Sequence, residues 1–530
     1  MLLDIKPLHI EGHDCLEDLI ASVAAWWNRS HELIFIESWG FYFDQNSGDI
    51  FGKRLRPVAD IEILIKKQKF LEKFHGIKCI YNNTIASAGV LNFLRLQIQA
   101  GFPIICFIDM FWCPCSHGYK KRHASHTILV TGIDGAGENL FFIDPLISKK
   151  GERISAGEFL EGYESCITFI KKDLKRLHLS WRKIIQDAVR NLKSSAVFEQ
   201  MRIFAGELER NVDLTVEIDN SHFIWDAPLM KRIQEVKGGR LKFILALQYL
   251  VKNFGAVKLE EACEKLKYVA SRWDVVYSIL VKSYLSKNKE VIAQAATKIR
   301  EIADLEEDIA RLLLDITNSG SMKNSMAEKN LETLPAKLPQ AQVSRVVFVE
   351  LKDYMNNRAF GESGNTRGMA NFDGIGTYYI WKNQGTGGVL KAGEMKFKFP
   401  QPEDGAYDNI SCQGQEIKVT EDEYCNIMLL GCAEMGSFID TLTVNYSDGQ
   451  SESVEFGFTN HTINNPIYGE VVACKVEGVG LDRDGNDLFF EDPVQIFAKS
   501  YILKKKGRVV SVNLPDLSNI HIFAISFGIP

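Results

Sequence analysis

Three residues far apart in the chain have the types that thiol chemistry needs: Cys15, His126 and Asp144. A cysteine becomes a working nucleophile when an imidazole takes its proton, a carboxylate holds that imidazole in one tautomer, and donors stabilise the oxyanion. His126 opens and Asp144 closes the body of HASHTILVTGIDGAGENLFFIDP (123–145), which reads as two short strands joined by a Gly-rich turn. A hairpin of this kind can hold an imidazole and a carboxylate side by side. Asp144 ends the apolar run FFID and is therefore expected to be partly buried, which makes sense if it accepts a hydrogen bond from His126. Each residue alone also has a bland explanation: a buried small thiol, a satisfied structural histidine, a strand-ending turn at Asp144–Pro145. The order Cys, His on a strand, Asp-Pro closing the next strand is what raises them above those explanations.

The nucleophile must be positioned by the segment GHDCLEDLIASVAAWW. Asp14 reads as an N-cap and Glu17, three positions on, completes a capping box. Leu16, Leu19, Ile20, Val23 and Trp27 recur at helical spacing, so Cys15 falls in the first turn. There the unpaired N–H groups and the positive end of the dipole favour a thiolate.

The loop FWCPCSHGYKKRHASH (111–126) precedes the hairpin. Cys113, Cys115, His117 and His123 raise the question of a metal. Paired cysteines in zinc sites are usually two to four residues apart and no second pair lies at a matching distance, so no metal is expected. Lys120, Lys121 and Arg122 form a small basic patch beside the hairpin. A solvated loop explains it by default, and contact with a phosphate-bearing carrier arm is the more specific reading.

The surrounding chain has an α+β pattern. ELIFIESWGFYF (32–43) reads as a helix end and a turn. ADIEILIKKQKFLEKFHGIKCIYNN reads as an amphipathic helix ending near Gly76, then a strand. Residues 86–109 give a helix, a break at Gly101–Pro103 and a buried strand. From 172 to 318 the periodicity is helical, which predicts an all-α domain whose Trp273 and Tyr277 sit in its core. Residues 319–342 have linker composition. From 343 to 530 alternating apolar segments with turns such as Asp448–Gly449 predict a β-sandwich. LDRDGND (481–487) could place Asp482, Asp484 and Asn486 on calcium, but its glycine is misplaced for an EF-hand loop and a hairpin turn is expected.

At 530 residues the chain is too long for one core. A net charge of −6 argues against a basic nucleic-acid face. No apolar run reaches the roughly 18–20 residues of a membrane span. No secretory signal is expected from the N-terminus, and 11 scattered cysteines, an odd number, point to reduced thiols and a cytoplasmic protein.

His13-Asp14-Cys15 leading into a helix, GFPIICFIDMFW, GYKKRHASHTILVTGID and FFIDP together resemble the N-terminal domain of the butirosin biosynthesis protein H family. That family is related in fold to papain-like cysteine peptidases, including bacteriocin-leader peptidases. The resemblance covers about residues 8–170, and the helical 172–318 region is similar to the segment C-terminal to that domain in the same family. It implies a papain-like cysteine domain (1–171) followed by the helical domain (172–318), to which the composition and alternation of the remaining chain add a linker (319–342) and a C-terminal sandwich (343–530). It implies an acyltransferase of specialised, antibiotic-type metabolism. Cys15 would take the acyl group from the phosphopantetheine thioester of an acyl carrier protein, and a small amine would receive it. His126 would be the base and Asp144 its orienter, with no cofactor beyond the donor's phosphopantetheine. Papain-like peptidases carry an oxyanion Gln shortly before the nucleophile. Here His9 lies six residues before Cys15 and the segment has no Gln, so the Cys15 backbone N–H, helped by His9 or His13, would serve. FDGIGTYY, GQEIKV, LLGCAEMG and VNYSDGQSESVEF resemble β-sandwich accessory modules of bacterial carbohydrate-active enzymes, which implies a carbohydrate-binding or docking role. The alternatives are a cysteine peptidase or amide hydrolase on the same scaffold, and a non-catalytic binding or scaffold protein.

Overall fold

A computed structural model of the chain describes residues 2–57, 62–83, 85, 87–116, 118–144, 149–173, 180–218, 221, 224–318, 344–361, 370–380, 388–399, 406–481 and 487–530. The linker at 319–342, His117, Pro145 and the acidic turn at Asp482, Asp484 and Asn486 lie outside the described residues. The chain is a mixed helix-and-sheet protein with a helical region and a C-terminal β-sandwich.

Two compact units divide it. The first comprises Met1–Met201, Lys231–Ala270 and Ala303–Met322, and the second Arg202–Met230, Ser271–Ile302 and Lys323–Pro530. The helices between 181 and 318 are divided between these two units. Three of them, Pro228–Phe254, Leu259–Ser286 and Val291–Asn318, have 27, 28 and 28 residues. At 1.5 Å per residue each is about 40 Å long, more than one small core can cover. Their residues are shared between the two units.

The first unit is built on a six-stranded antiparallel sheet. Its strands are β1 (Ile77–Asn82), β2 (Ile104–Asp109), β3 (Ser125–Ile133), β4 (Asn139–Asp144), β5 (Lys149–Ser155) and β6 (Tyr163–Lys171), in the order β1-β6-β2-β3-β4-β5. Strand β3 is central and buried from His126 to Ile133, which is why its sequence is apolar without strict alternation. Helix α1 (Cys15–Trp26) packs against β3, and α2 (Glu62–His75) and α3 (Ser87–Gln99) follow the expected helix–strand pairs. The segment at 32–43 differs from its reading: it makes one 3-10 turn, Glu32–Phe35, rather than a helix end.

A buried ion pair ties this unit together. Arg240 and Glu306 are wholly inaccessible and meet through two 2.8 Å bonds, Nε to Oε1 and Nη2 to Oε2. Trp39 Nε1 donates to Glu306 Oε2 at 2.6 Å, and Arg240 Nη1 donates to the Gly40 carbonyl at 2.7 Å. One residue back, Gly239 lies so close to the loop that a Cβ there would stand 2.5 Å from the Ser38 carbonyl oxygen.

The second unit contains a nine-stranded and a four-stranded sheet. Asn426–Ala433 is buried at every position and lies between Val494–Ile502 and Asp516–Ile529. Phe438–Tyr446 alternates buried and half-buried residues and pairs with Ser451–Phe458 through the Asp448–Gly449 turn, as expected. Phe458 leans on Gly431, whose Cβ would fall 2.7 Å from its ring, so the two sheets close as a sandwich. On the helical side Lys282 donates to Glu434 at 2.8 Å and Arg272 to Asp440 at 2.9 Å. Trp273 is fully buried, as a core residue should be.

Candidate active site

Cys15 is the first residue of α1, and the cap that places it is complete. Asp14 Oδ1 accepts from the Glu17 N–H at 2.9 Å, and Glu17 Oε2 accepts from the Asp14 N–H at 2.9 Å. Glu17 is held in turn by Lys67 and Lys242, each 2.7 Å away. Burial works against its charge, but the two ammonium groups keep its carboxyl below the ordinary range. The N–H groups of Cys15 and Leu16 have no intrahelical acceptor in this first turn.

Asp18 organises the loop before the helix. It is buried and accepts from the Ile10 N–H at 3.1 Å, from His13 Nδ1 at 3.1 Å and from His9 Nδ1 at 2.8 Å. This arrangement bears on the expected oxyanion donors. An imidazole that donates from Nδ1 to a carboxylate has, when neutral, only an acceptor at Nε2. Burial lowers the His13 pKa to about 4, so it is neutral near pH 7, and its Nε2 is buried without a hydrogen-bond partner. His13 packs against His31 and Phe35, while the His9 side chain is largely exposed. Both histidines thus serve Asp18, and the Cys15 and Leu16 N–H groups are the donors that remain.

His126 and Asp144 meet as the hairpin implied. His126 Nε2 and Asp144 Oδ2 are 2.7 Å apart, and both residues are buried. Leu129 pairs with Ile143, so Asp144 falls opposite Ile128, one pleat repeat from His126 on the same sheet face. Burial opposes the imidazolium, yet the Asp144 hydrogen bond and charge raise the His126 pKa on balance. With Nε2 committed to Asp144, the Nδ1 edge is the one left for a thiol.

The Cys15 thiol differs from its expectation. Burial first, then the charges of Asp14, Asp144 and Asp18, push its pKa up to about 11. Those effects outweigh the helix N-terminus, and the resting thiol is neutral near pH 7. Cys15 is half-buried and sits within the field of Asp144, but no hydrogen bond joins it to His126 among the described residues.

Asp144 has a further partner that no sequence pattern marks. Cys115 Sγ donates to Asp144 Oδ2 at 3.4 Å, and Cys113 Sγ lies 3.4 Å from Cys115 Sγ. The CPC spacing is visible in the chain, but the carboxylate comes from 29 residues downstream. His123, by contrast, faces away to Asp109, 2.5 Å from its Oδ2, and stacks on Phe111.

The basic patch divides. The Lys120 ammonium sits 3.4 Å from the centroid of the Trp112 ring and 3.9 Å from Glu158 Oε1. Lys121 and Arg122 are exposed. A cavity of about 560 Å³ opens beside the α1 N-terminus, with Gly12, His13 and Asp14 on one wall and Gly238, Gly239 and Lys242 on another. No described helix is long and apolar enough to cross a membrane.

No curated protein matches the chain. Among solved structures, the peptidase domain of Streptococcus ComA, a bi-functional ABC transporter, is similar over 32% of this chain and 98% of its own. The identity is 17% and the TM-score 0.21. Residues 346–477 match the family model of the AziU2-like beta-sandwich domain.

Proposed function

We propose that the first unit is a papain-like cysteine acyltransferase that carries an acyl group from a thioester donor, through Cys15, to an amine. The observation that supports this best is the buried 2.7 Å His126–Asp144 pair, with His126 on the strand that α1 packs against and Cys15 at the head of that helix. In this reading the Cys15 thiol gives its proton to His126 Nδ1 as sulfur attacks the thioester carbonyl. The tetrahedral oxyanion is met by the Cys15 and Leu16 N–H groups at the start of α1. The donor's carbon–sulfur bond then breaks, and the leaving thiolate takes the proton from His126. The acceptor amine attacks acyl-S-Cys15, its proton passes to His126, and Cys15 leaves and is reprotonated.

A neutral thiol with a pKa of about 11 suits this order of events, because the proton leaves only as the base receives it. A thioester also suits the site better than an amide, since its thiolate leaves far more readily than an amine. The donor is an acyl carrier protein or another phosphopantetheine thioester, with the exposed Lys121 and Arg122 as contacts for the arm's phosphate. The cavity beside Asp14, which also carries Glu37 and Glu235, is the place for the amine. The pathway is of the antibiotic-type specialised metabolism implied by the resemblance, with the sandwich as a docking or carbohydrate-binding module.

Intact-mass spectrometry with acyl-carrier-protein donors tests the reading. Wild type should gain the acyl mass, lose it on addition of an acceptor amine, and Cys15→Ala should gain nothing. Acyl-enzyme that decays to free acid at the same rate with or without amines would favour hydrolysis. Unmodified Cys15 with every thioester offered would sink both.

A further inference from the structure

Two thiols that take no part in the steps assigned to Cys15 converge on Asp144, the carboxylate that holds His126. Cys113, Cys115 and Asp144 each point one ligand atom inward, and those atoms lie within 4.8 Å of one another. The loop that brings the cysteines together is well tied: the Cys113 N–H donates to the Met110 carbonyl at 3.1 Å and the Ser116 N–H to the Cys113 carbonyl at 3.0 Å. Cys113 is fully buried, Asp144 is 1% exposed, and Cys115 is half-buried, so Cys115 is the member of the cluster nearest solvent.

The spacing discriminates between two uses of such thiols. A tetrahedral zinc ion, with sulfur at about 2.3 Å and oxygen at about 2.0–2.2 Å, sets its sulfur ligands about 3.8 Å apart and sulfur and oxygen about 3.5 Å apart. The Cys113–Cys115 and Cys115–Asp144 separations, each 3.4 Å, lie within a few tenths of an ångström of those values, and Cys113 and Asp144 come within 4.8 Å of each other. A disulfide needs the sulfurs at about 2.05 Å, a far larger displacement across a single intervening proline.

We propose that Cys113, Cys115 and Asp144 form a site for a thiophilic divalent cation of the zinc type, with the fourth position open on the Cys115 side. Binding exchanges the two thiol protons for metal–sulfur bonds, so two protons leave per ion. Asp144 supplies the oxygen ligand, and His126, 2.7 Å from the same carboxylate, becomes its outer hydrogen-bond partner. His123 plays no part, because it is turned to Asp109. A cation here takes negative charge from the carboxylate that orients His126 and so bears on thiol chemistry at Cys15, but the site itself stands on the two cysteines and Asp144 alone.

The test uses the full chain, stripped with chelator and kept reduced, with cobalt(II) as the probe. Wild type should bind one cobalt per chain with a sulfur-to-metal charge-transfer band in the near ultraviolet, and zinc should abolish the band. Cys113→Ser and Cys115→Ser should each weaken binding at least tenfold and reduce the band. Asp144→Asn should weaken binding while keeping the band, and Cys15→Ala should bind as wild type, which separates this site from the acyl chemistry. Since a serine variant can fail to fold, zinc protection is also read on wild type: added zinc should slow alkylation of Cys113 and Cys115, mapped by peptide mass, at least tenfold. No cobalt binding by reduced wild type would overturn the proposal. So would a band that survives loss of both cysteines, or a Cys113–Cys115 disulfide that forms in preference to metal binding.

Discussion

Replacing Glu306 by Gln is the sharpest perturbation of the first unit. Glu306 accepts from Arg240 Nε and Nη2 and from Trp39 Nε1, all within 2.8 Å, and neither charged partner reaches solvent. Gln keeps the shape but offers one acceptor, turns an NH2 toward the guanidinium, and leaves Arg240 charged and buried. Breaking a buried pair by removing one partner costs about 3–5 kcal/mol. For a unit of this size each kcal/mol is worth about 2–4 °C, so the thermal midpoint should fall by about 6–20 °C. Urea unfolding followed by tryptophan fluorescence reads the same loss, because Trp39 reports directly on the site. The double variant Arg240→Met/Glu306→Leu should recover at least about 2 kcal/mol over Glu306→Gln, since two apolar side chains leave no stranded charge. Recovery should be partial, because the Gly40 carbonyl and the Trp39 N–H lose their partners. A Glu306→Gln loss under about 1 kcal/mol, or a double variant no better than the single, would refute the reasoning.

Other predictions are more local. Gly239→Ala should destabilise by about 1–3 kcal/mol, although Gly to Ala inside a helix normally gains about 1 kcal/mol, because the new Cβ meets the Ser38 carbonyl at 2.5 Å; a neutral or stabilising result in thermal melts would show that this approach relaxes freely. The Glu17 carboxyl is held below its unfolded value, so its stabilisation is complete above the unfolded pKa and is lost as pH falls through the folded one; Glu17→Gln should flatten the acid limb of the stability–pH curve, and an unchanged limb would contradict the lysine clamp. Iodoacetamide alkylation of Cys15 in the substrate-free protein should still be rising at pH 10, as a thiol pushed up to about 11 requires; a plateau by pH 8 would mean a thiolate at rest.

Short-range geometry is what the sequence makes legible. Asp14 and Glu17 are three apart, and that spacing alone specifies a capping box, which is present with both bonds formed. His126 and Asp144 lie on consecutive strands of a hairpin, so alternation and a short turn suffice to bring them to one face. The partners of those same residues are hidden, because they come from elements whose approach depends on tertiary packing. Lys67 and Lys242 reach Glu17 from 50 residues and more away, and no local pattern marks them. The long helices are legible as helices, but periodicity carries no information on which core each turn joins, and their residues divide between the two units. The Cys15 proton defies its local setting for a related reason: the helix N-terminus is visible in the sequence, whereas the burial and the Asp144 charge that oppose it are not.

Asp144 shows why the residues around a site constrain it more than its own identity does. One carboxylate oxygen accepts from an imidazole at 2.7 Å and from a thiol at 3.4 Å. An acceptor shared in this way cannot serve both neighbours equally: a stronger hydrogen bond from the Cys115 thiol, or a cation bound to the carboxylate, weakens its hold on His126. Cys115→Ala should therefore leave His126 as the stronger claimant on Asp144, and any thioester labelling of Cys15 should be retained or increased. Loss of labelling in a folded Cys115→Ala protein would instead mean that Cys115 helps to position the carboxylate. Comparing labelling rates of wild type and Cys115→Ala at equal thermal stability decides between the two, because a purely structural loss would lower both together.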